Sequence, residues 1–532
     1  MDNDRESIDN LRRRIFRRWM HNMEIFAVWA AVWTVRILFG WLIWLLSALA
    51  AEIVGIAIAI GKFFKSLPQR FAALGKRIWG AMKDFALGFV HGNIWEKLSY
   101  VFMGLGNIGA GQYIKGGIFL LIEAGFIVFM ALTGGSAFVG FFTLGTHAQS
   151  TGEQTDEWGN PIVIQGDNSL LMLLFGVCTI LIIIAFICIY FSSVKSGRKV
   201  WQIKQAGDTP ATFRQDVFDL FDKKLYKTLL FIPILCILAF TIIPLVYMIL
   251  MAFTSYDHEH LPPASLFDWI GFRMFGQVFA SAKIAGTFFP VLGWTLLWAL
   301  LATVMCYFGG ILLALLINKK GIVGRPVFRT IFVLTIAIPQ FITLLTMNNF
   351  LHFDGPLNTL LLDWNLSSNR IDFLGTETAN PWLPRFSVLL VNLWIGVPYT
   401  MLITTGVLMN IPKDLFEAAK LDGANPVTLF ARITLPYVLF VTGPYLIQQF
   451  IGNINNFNII YLLTGGGPTS PAYHIAGKTD LLITWLYKLT IEQHDYNLGA
   501  VIGIYTFAAS AVFSLLAYSH TSANKNEGDF QV

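Results

Sequence analysis

Long uncharged apolar runs alternate with short polar stretches along this 532-residue chain. The run from Leu170 to Phe191 holds no charge, and as a helix of about 33 Å it crosses a hydrocarbon core of about 30 Å. The same pattern predicts a helical span over about 115–133. After residue 226 it predicts six more, over about 228–254, 293–317, 327–351, 386–411, 437–463 and 501–520. The run over 24–60 is too long for one straight span and is interrupted by Arg36 and Glu52. It is read as a hairpin of two spans, with an interfacial element as the alternative. The expected fold is therefore all-α and polytopic, with about eight to ten spans. No tandem repeat or low-complexity tract interrupts it.

Composition agrees. Hydrophobic residues make up 55% of the chain and charged residues 13%, against roughly 25% charged in a soluble domain; mean hydropathy is +0.61. The net charge of +5 sits in loops, so it reports orientation rather than nucleic-acid binding. Lys319, Lys320, Arg325 and Arg329 follow the 293–317 span, and Lys413, Lys420 and Arg432 follow the 386–411 span. The intervening loops 255–290, 352–385 and 464–500 are rich in Asp, Asn, Thr, Gly and Pro. The positive-inside rule puts the basic loops and the C-terminal tail in the cytoplasm. Three regions follow: a basic extension with an apolar hairpin (1–90), a further pair of spans with a charged cytoplasmic linker (91–225), and a core of six spans (226–532).

Near the N-terminus, Arg12, Arg13, Arg14, Arg17 and Arg18 suit anionic lipid headgroups. Ala48-Leu49-Ala50 superficially resembles a signal-peptidase site, but Arg36 within the preceding run and apolar sequence beyond Glu52 argue against cleavage. Cys178, Cys188, Cys236 and Cys306 all fall within apolar runs and read as packed thiols. Glu123 lies inside a predicted span. It is either functional or a carboxylate satisfied by a neighbouring helix.

Two features carry the candidate chemistry. The first is a polar elbow, Pro412 to Tyr437, between two apolar spans. Asp414 and Glu417 favour a helix N-terminus, Gly423 suits a left-handed stop, and Asn425-Pro426 restarts a helix. The second is a pair of polar stripes. Asn392, Gly396 and Tyr399 fall at i, i+4 and i+7, as do Gln449, Asn453 and Asn456. Gly396-Val397-Pro398 is expected to bend its helix and free backbone groups, and Gly443-Pro444 to supply another break; the membrane tolerates such irregularity only where backbone is buried or lines a wet cavity. Amides that both donate and accept, beside an aromatic ring, suit a neutral polyhydroxylated solute. The same amides also serve as glue between helices.

Glu417-Ala418-Ala419, Gly423 and Ile433-Thr434-Leu435-Pro436 resemble the "EAA" loop of ABC-importer permeases. The stretch Asn392 to Tyr399, Asn453-Ile454-Asn455-Asn456-Phe457, and Leu462 to Pro468 are similar to MalF-type permeases of maltose, maltodextrin and galacto-oligosaccharide importers. That resemblance covers roughly 226–520. A fainter one, Gly104 to Gln112, is to the N-terminal hairpin of Gram-positive oligosaccharide permeases. The resemblance implies a type I ABC-importer transmembrane domain in the bacterial cytoplasmic membrane, moving an oligosaccharide by alternating access. The sugar contacts it implies are Asn392, Gly396, Tyr399, Gln449, Asn453 and Asn456. Gln449 departs from the maltose permease, which has a small hydroxyl residue there. The contacts to the ATPase would be Glu417, Ala418, Ala419 and Gly423. The implied partners are a second homologous permease, two copies of an ABC ATPase that carry ATP and Mg, and an extracellular or lipid-anchored sugar-binding protein.

No catalytic group, metal site or bound cofactor is expected in this chain. Gly477-Lys478-Thr479 resembles the end of a phosphate loop, but Ala472 stands where its first glycine belongs. His258-Glu259-His260 lacks the spacing of a helical zinc pair. The competing readings are an ion-coupled secondary sugar transporter, which would show an intramembrane carboxylate pathway or an inverted repeat, and a membrane-embedded enzyme or assembly factor.

Overall fold

The computed structural model describes residues 83–90, 92–155, 161–319 and 324–520, with scattered helical positions from 65 to 80. The chain divides into two units after Lys83, and the expected hairpin over 24–60 lies outside the described residues. Among its described residues the second unit is all-α apart from one antiparallel hairpin, β1 (Ser150–Thr155) with β2 (Pro161–Ile164).

Seven described helices are long and apolar enough to span a bilayer, and an eighth span arises if one bent pair counts as a crossing. They are α1 (Tyr113–Thr143), α2 (Ser169–Gln205), α3 (Leu225–Met251), α4 (Ala282–Asn318), α7 (Trp382–Met409), the stretch Pro426–Leu463, and Tyr496–Leu515 within α11 (Tyr496–His520). The expected straight span over 327–351 is instead α5 (Arg325–Ala337) and α6 (Gln340–Leu351), with a bend of 93° between them. Pro339 explains the bend: it disfavours helical geometry in the residue before it, and Ile338 is extended at φ −79°, ψ 126°. The break expected at Gly443-Pro444 falls elsewhere. α7 runs unbroken through Pro398, and α9 (Leu435–Ile454) runs through Pro444. The break comes at Asn455–Asn456, before α10 (Phe457–Leu463). Two π-helical turns, Leu238–Ile242 and Phe430–Thr434, each stop two residues short of a proline. A widened turn there relieves the clash between a proline ring and the carbonyl four residues back.

α4 is the central mast. Its buried side chains run from Thr287 to Ile317, and it packs against α7 through glycines. A Cβ on Gly310 would meet Thr400 Cβ at 2.5 Å, one on Gly309 would meet Val397 at 2.8 Å, and one on Gly396 would meet Cys306 Sγ at 2.6 Å. Small residues at such contacts let helix backbones approach where lipid offers no hydrophobic drive. α3, by contrast, buries almost nothing, exposing Leu229, Phe231, Ile232 and Phe240.

Glu123 accepts the Met103 N–H at 2.7 Å, so its carboxylate ties down the turn after Leu98. In the Gly104–Gln112 stretch, the buried Asn107 amide donates to Gln112 Oε1 and to Ser196 on α2. Gly106 and Gly197 bring those backbones together.

The loop before α7 is organised by one carboxylate. Buried Asp372 accepts the N–H groups of Gly375, Thr376, Glu377 and Thr378 and the hydroxyls of Thr376 and Thr378. Burial alone would raise its pKa, but the backbone donors Thr378, Glu377 and Thr376 outweigh it and hold the group at about 2. A depressed acid contributes stability above its unfolded value of about 4, lost only as pH falls through the folded value. Residues 372–378 should therefore stay resistant to protease at pH 4. Asp372→Ala should open them at neutral pH, at a cost of about 3 kcal/mol or more, since several buried donors lose their acceptor. Limited proteolysis of the two proteins across pH 3–7 checks both outcomes.

Candidate functional site

The bend at Ile338–Pro339 turns the end of α5 and the start of α6 toward α7 and α9, and a cavity of about 390 Å³ opens among them. That is within the range of small-ligand sites, roughly 300–1,000 Å³. Asn392, Gly396 and Tyr399 from α7 line it, with Gln449 and Asn453 from α9. The two stripes thus meet at one cavity, but Asn456 does not line it. The i, i+4, i+7 spacing presumes a continuous helix, and α9 ends before Asn456.

Each amide divides its hydrogen-bonding capacity. Asn392 donates from Nδ2 to Cys306 Sγ at 3.5 Å. Asn453 donates from Nδ2 to Thr303 Oγ1 at 3.0 Å, while its backbone carbonyl accepts Trp298 Nε1 at 3.1 Å. Part of each side chain therefore does join helices, as the glue reading expects. Gln449 differs: its Oε1 is buried without a partner. An unpaired buried acceptor costs about 1–3 kcal/mol, so it is a group ready to receive a donor. Tyr399 is 51% exposed, and its ring lies 6.2 Å from that of Tyr445. Gly396 belongs to the cavity wall and to the α4–α7 contact at once.

The sequence pattern did not single out the opposite wall. Thr335, Gln340 and Thr343 line the cavity from the bent pair, and Cys306 from α4. Gln340 and Thr343 stand one turn apart on α6, but the stretch 327–351 read as an ordinary apolar span. The signal that could have found them is the polar residue directly after Ile338-Pro339. Among the described residues, no Asp, Glu, Lys, Arg or His lines the cavity.

The elbow forms as its residues dictate. α8 (Lys413–Leu421) ends at Gly423, which is left-handed at φ +79°. The Gly423 N–H donates to Lys420 O and the Ala424 N–H to Ala419 O, the paired bonds that close a helix end on glycine. The Asn425 side chain then accepts the Thr428 N–H at 2.7 Å to start the next helix. Glu417, Ala418 and Gly423 are exposed and Ala419 half-buried. Leu421 is 90% exposed, which is unusual for a leucine on a polar turn.

Gly477-Lys478-Thr479 belongs to a clasp between loops. Lys478 Nζ donates to Ala379 O, Thr479 Oγ1 to Gly467 O, and Arg385 to Lys478 O. His258 and His260 pair with separate acids, Asp495 and Asp257, each at 2.7 Å. Burial lowers the pKa of His474, with Lys283 adding to the effect, and its Nδ1 has no partner.

Residues 307–522 match the family described as binding-protein-dependent transport system inner membrane component. The chain is 34% identical over 431 residues to the maltodextrin transport system permease protein MdxF of Bacillus subtilis, covering 80% of this chain and 94% of that one. It is 33% identical over 430 residues to the galactooligosaccharides transport system permease protein GanP of the same organism, covering 80% and 96%. Against the maltose/maltodextrin transport system permease protein MalF of Klebsiella aerogenes it is 33% identical over 277 residues, covering 49% of this chain and 51% of that one. Seven apolar spanning helices make it a multi-pass protein of the plasma membrane. Identity at a third of the aligned residues, along nearly the whole length of two such permeases, places this chain in the binding-protein-dependent transport system inner membrane component family, as a sugar ABC-importer permease.

Proposed function

We propose that this chain conducts a neutral oligosaccharide across the membrane by alternating access, with a maltodextrin or a galacto-oligosaccharide as the candidate solute. The observation that carries the reading is the cavity: five residues from the two polar stripes line it, no charged side chain does, and the Gln449 acceptor waits there unpaired. A hydroxyl-rich solute supplies donors and acceptors without needing a counter-charge. An ion-coupled carrier would need a titratable group along its path, and this lining offers no carboxylate.

On this reading ATP and Mg sit on two copies of a separate ATPase. A second homologous permease completes a heterodimer, and an extracellular or lipid-anchored protein delivers the sugar. The "EAA" elbow is the handle. Glu417 and exposed Leu421 reach toward the ATPase, Ala418 and Ala419 allow close approach, and Gly423 sets the turn. The charge pattern supports that side. With the bent pair α5–α6 counted as one crossing, four spans separate the basic linker 195–227 from the elbow. An even number leaves both in the cytoplasm, as the positive-inside rule requires.

The test is uptake of radiolabelled maltotriose and β-1,4-galactobiose by the assembled complex in proteoliposomes. Asn453→Ala and Gln449→Ala should each raise the KM for the transported sugar about 10-fold, the order expected when a buried polar partner is lost, while the ATPase still co-purifies. Wild-type uptake of neither sugar would refute the proposal.

A further inference from the structure

Beyond the break at Asn455–Asn456, α10 presents two different faces. Ile459, Ile460 and Leu463 are fully buried in the core that surrounds Trp298 and Val388. Phe457 and Tyr461 turn the other way and meet Tyr487, from the short helix Leu482–Tyr487. Phe457 stacks on Tyr461 with centroids 4.8 Å apart, and Tyr487 lies 4.9 Å from Phe457 and 5.1 Å from Tyr461. None of the three rings joins a hydrophobic core cluster among the described residues. Tyr461 is 36% exposed, and the other two are half-buried. The hydroxyls of Tyr461 and Tyr487 lie close enough that Tyr461 raises the pKa of the Tyr487 phenol.

Buried aromatic clusters usually serve packing, and a ring that packs belongs to a core. These three touch one another and stay partly open, with two hydroxyls at their edge. The side-chain amide of Asn456 immediately precedes them, makes no hydrogen bond among the described residues, and has left the stripe that lines the cavity. Three residues earlier, Asn453 is in that cavity. Apolar ring faces combined with hydroxyl and amide groups suit a pyranose, whose ring has an apolar face and a hydroxyl rim.

We infer that Phe457, Tyr461 and Tyr487 form a second sugar subsite, continuous along the chain with the cavity through Asn456, which holds the residues of an oligosaccharide that the cavity does not. The inference rests on the proposed function and deepens it: these rings set the preference for chain length among the sugars carried. The cavity then binds one end, and the aromatic subsite bears on the rest.

Chain-length dependence tests this. Uptake KM is measured in proteoliposomes holding the full complex, for maltose against maltotetraose and β-1,4-galactobiose against β-1,4-galactotetraose. Tyr461→Ala and Tyr487→Ala should raise the tetrasaccharide KM about 3- to 10-fold, the scale of losing one aromatic partner, and leave the disaccharide KM within about 2-fold. Tyr461→Phe keeps the ring and should retain most of the tetrasaccharide affinity. Equal effects on both lengths, or none on either, would overturn the subsite. So would alanine variants that no longer co-purify with the ATPase beside phenylalanine variants indistinguishable from wild type at both lengths. Loss through failure of the underlying reading looks different: the wild-type complex would then take up none of the four sugars.

Discussion

Lys488→Met is expected to destabilise the loop over 464–495 by about 3–5 kcal/mol, the cost of stranding one member of a buried ion pair. Asp480 is 1% exposed and Lys488 8%. Lys488 Nζ lies 2.7 Å from Asp480 Oδ2 and donates to Gly465 O at 2.8 Å. The same carboxylate oxygen accepts the Gly477 N–H at 2.6 Å, while Oδ1 is buried without a partner. With the ammonium removed, the carboxylate keeps one neutral donor and no counter-charge. Nor is there room for the loop to close in around it, since Gly466 packs directly on Asp480 Oδ1 and Gly477 directly on Gly466 O. Asp480→Leu combined with Lys488→Met should cost less than either single change, because no lone charge then stays buried. Thermal unfolding and proteolysis of the detergent-purified complex would show it. A Lys488→Met loop as heat- and protease-resistant as wild type would mean the pair is not what holds it. Because Tyr487 precedes Lys488, the single variant should also weaken tetrasaccharide uptake.

Gly423→Val should cut coupled uptake more than 10-fold while ATP hydrolysis continues. A β-branched residue at φ +79° carries strain of about 1–3 kcal/mol, and the turn can relieve it only by moving the end of α8. Open space surrounds Gly423, with nothing within 4 Å of an added Cβ. A loss there would therefore reflect backbone geometry rather than a clash. Glu417→Lys should act on the same step from the α8 surface, reversing a charge without altering the turn. Hydrolysis and uptake measured side by side in proteoliposomes separate uncoupling from loss of assembly. Retained coupling in both variants would remove the elbow from the proposed power stroke.

Much of this architecture could be read from the chain because one force sets it. A segment in lipid must satisfy its own backbone, so an apolar run of about 20 residues is a helix before any neighbour is known. The elbow was legible for a similar reason. The left-handed Gly423 and the Asn425 cap act within a few residues, and local geometry carries over from sequence to structure.

Prolines were harder. Pro398 and Pro444 pass through continuous helices, whereas Pro339 accompanies a 93° bend. The residue type alone does not say which proline breaks its helix: Ile338 before Pro339 is extended, while helix continues through Pro398 and Pro444. That bend brought Gln340 and Thr343 to the cavity, and the break at Asn455–Asn456 took Asn456 away from it. Periodicity ranked these residues the other way, because it counts turns of a helix that does not continue.

By itself, then, the sequence determined the membrane class, the spans among the described residues, the elbow and five of the residues that meet at the cavity. All of these follow from hydrophobicity and local backbone preference. Tertiary structure decided the cavity wall formed by the bent pair and Cys306, the aromatic cluster at Tyr461 and the Asp480–Lys488 pair. Each joins separate segments, and no local rule ranks one such pairing above another. Close packing among all the helices does.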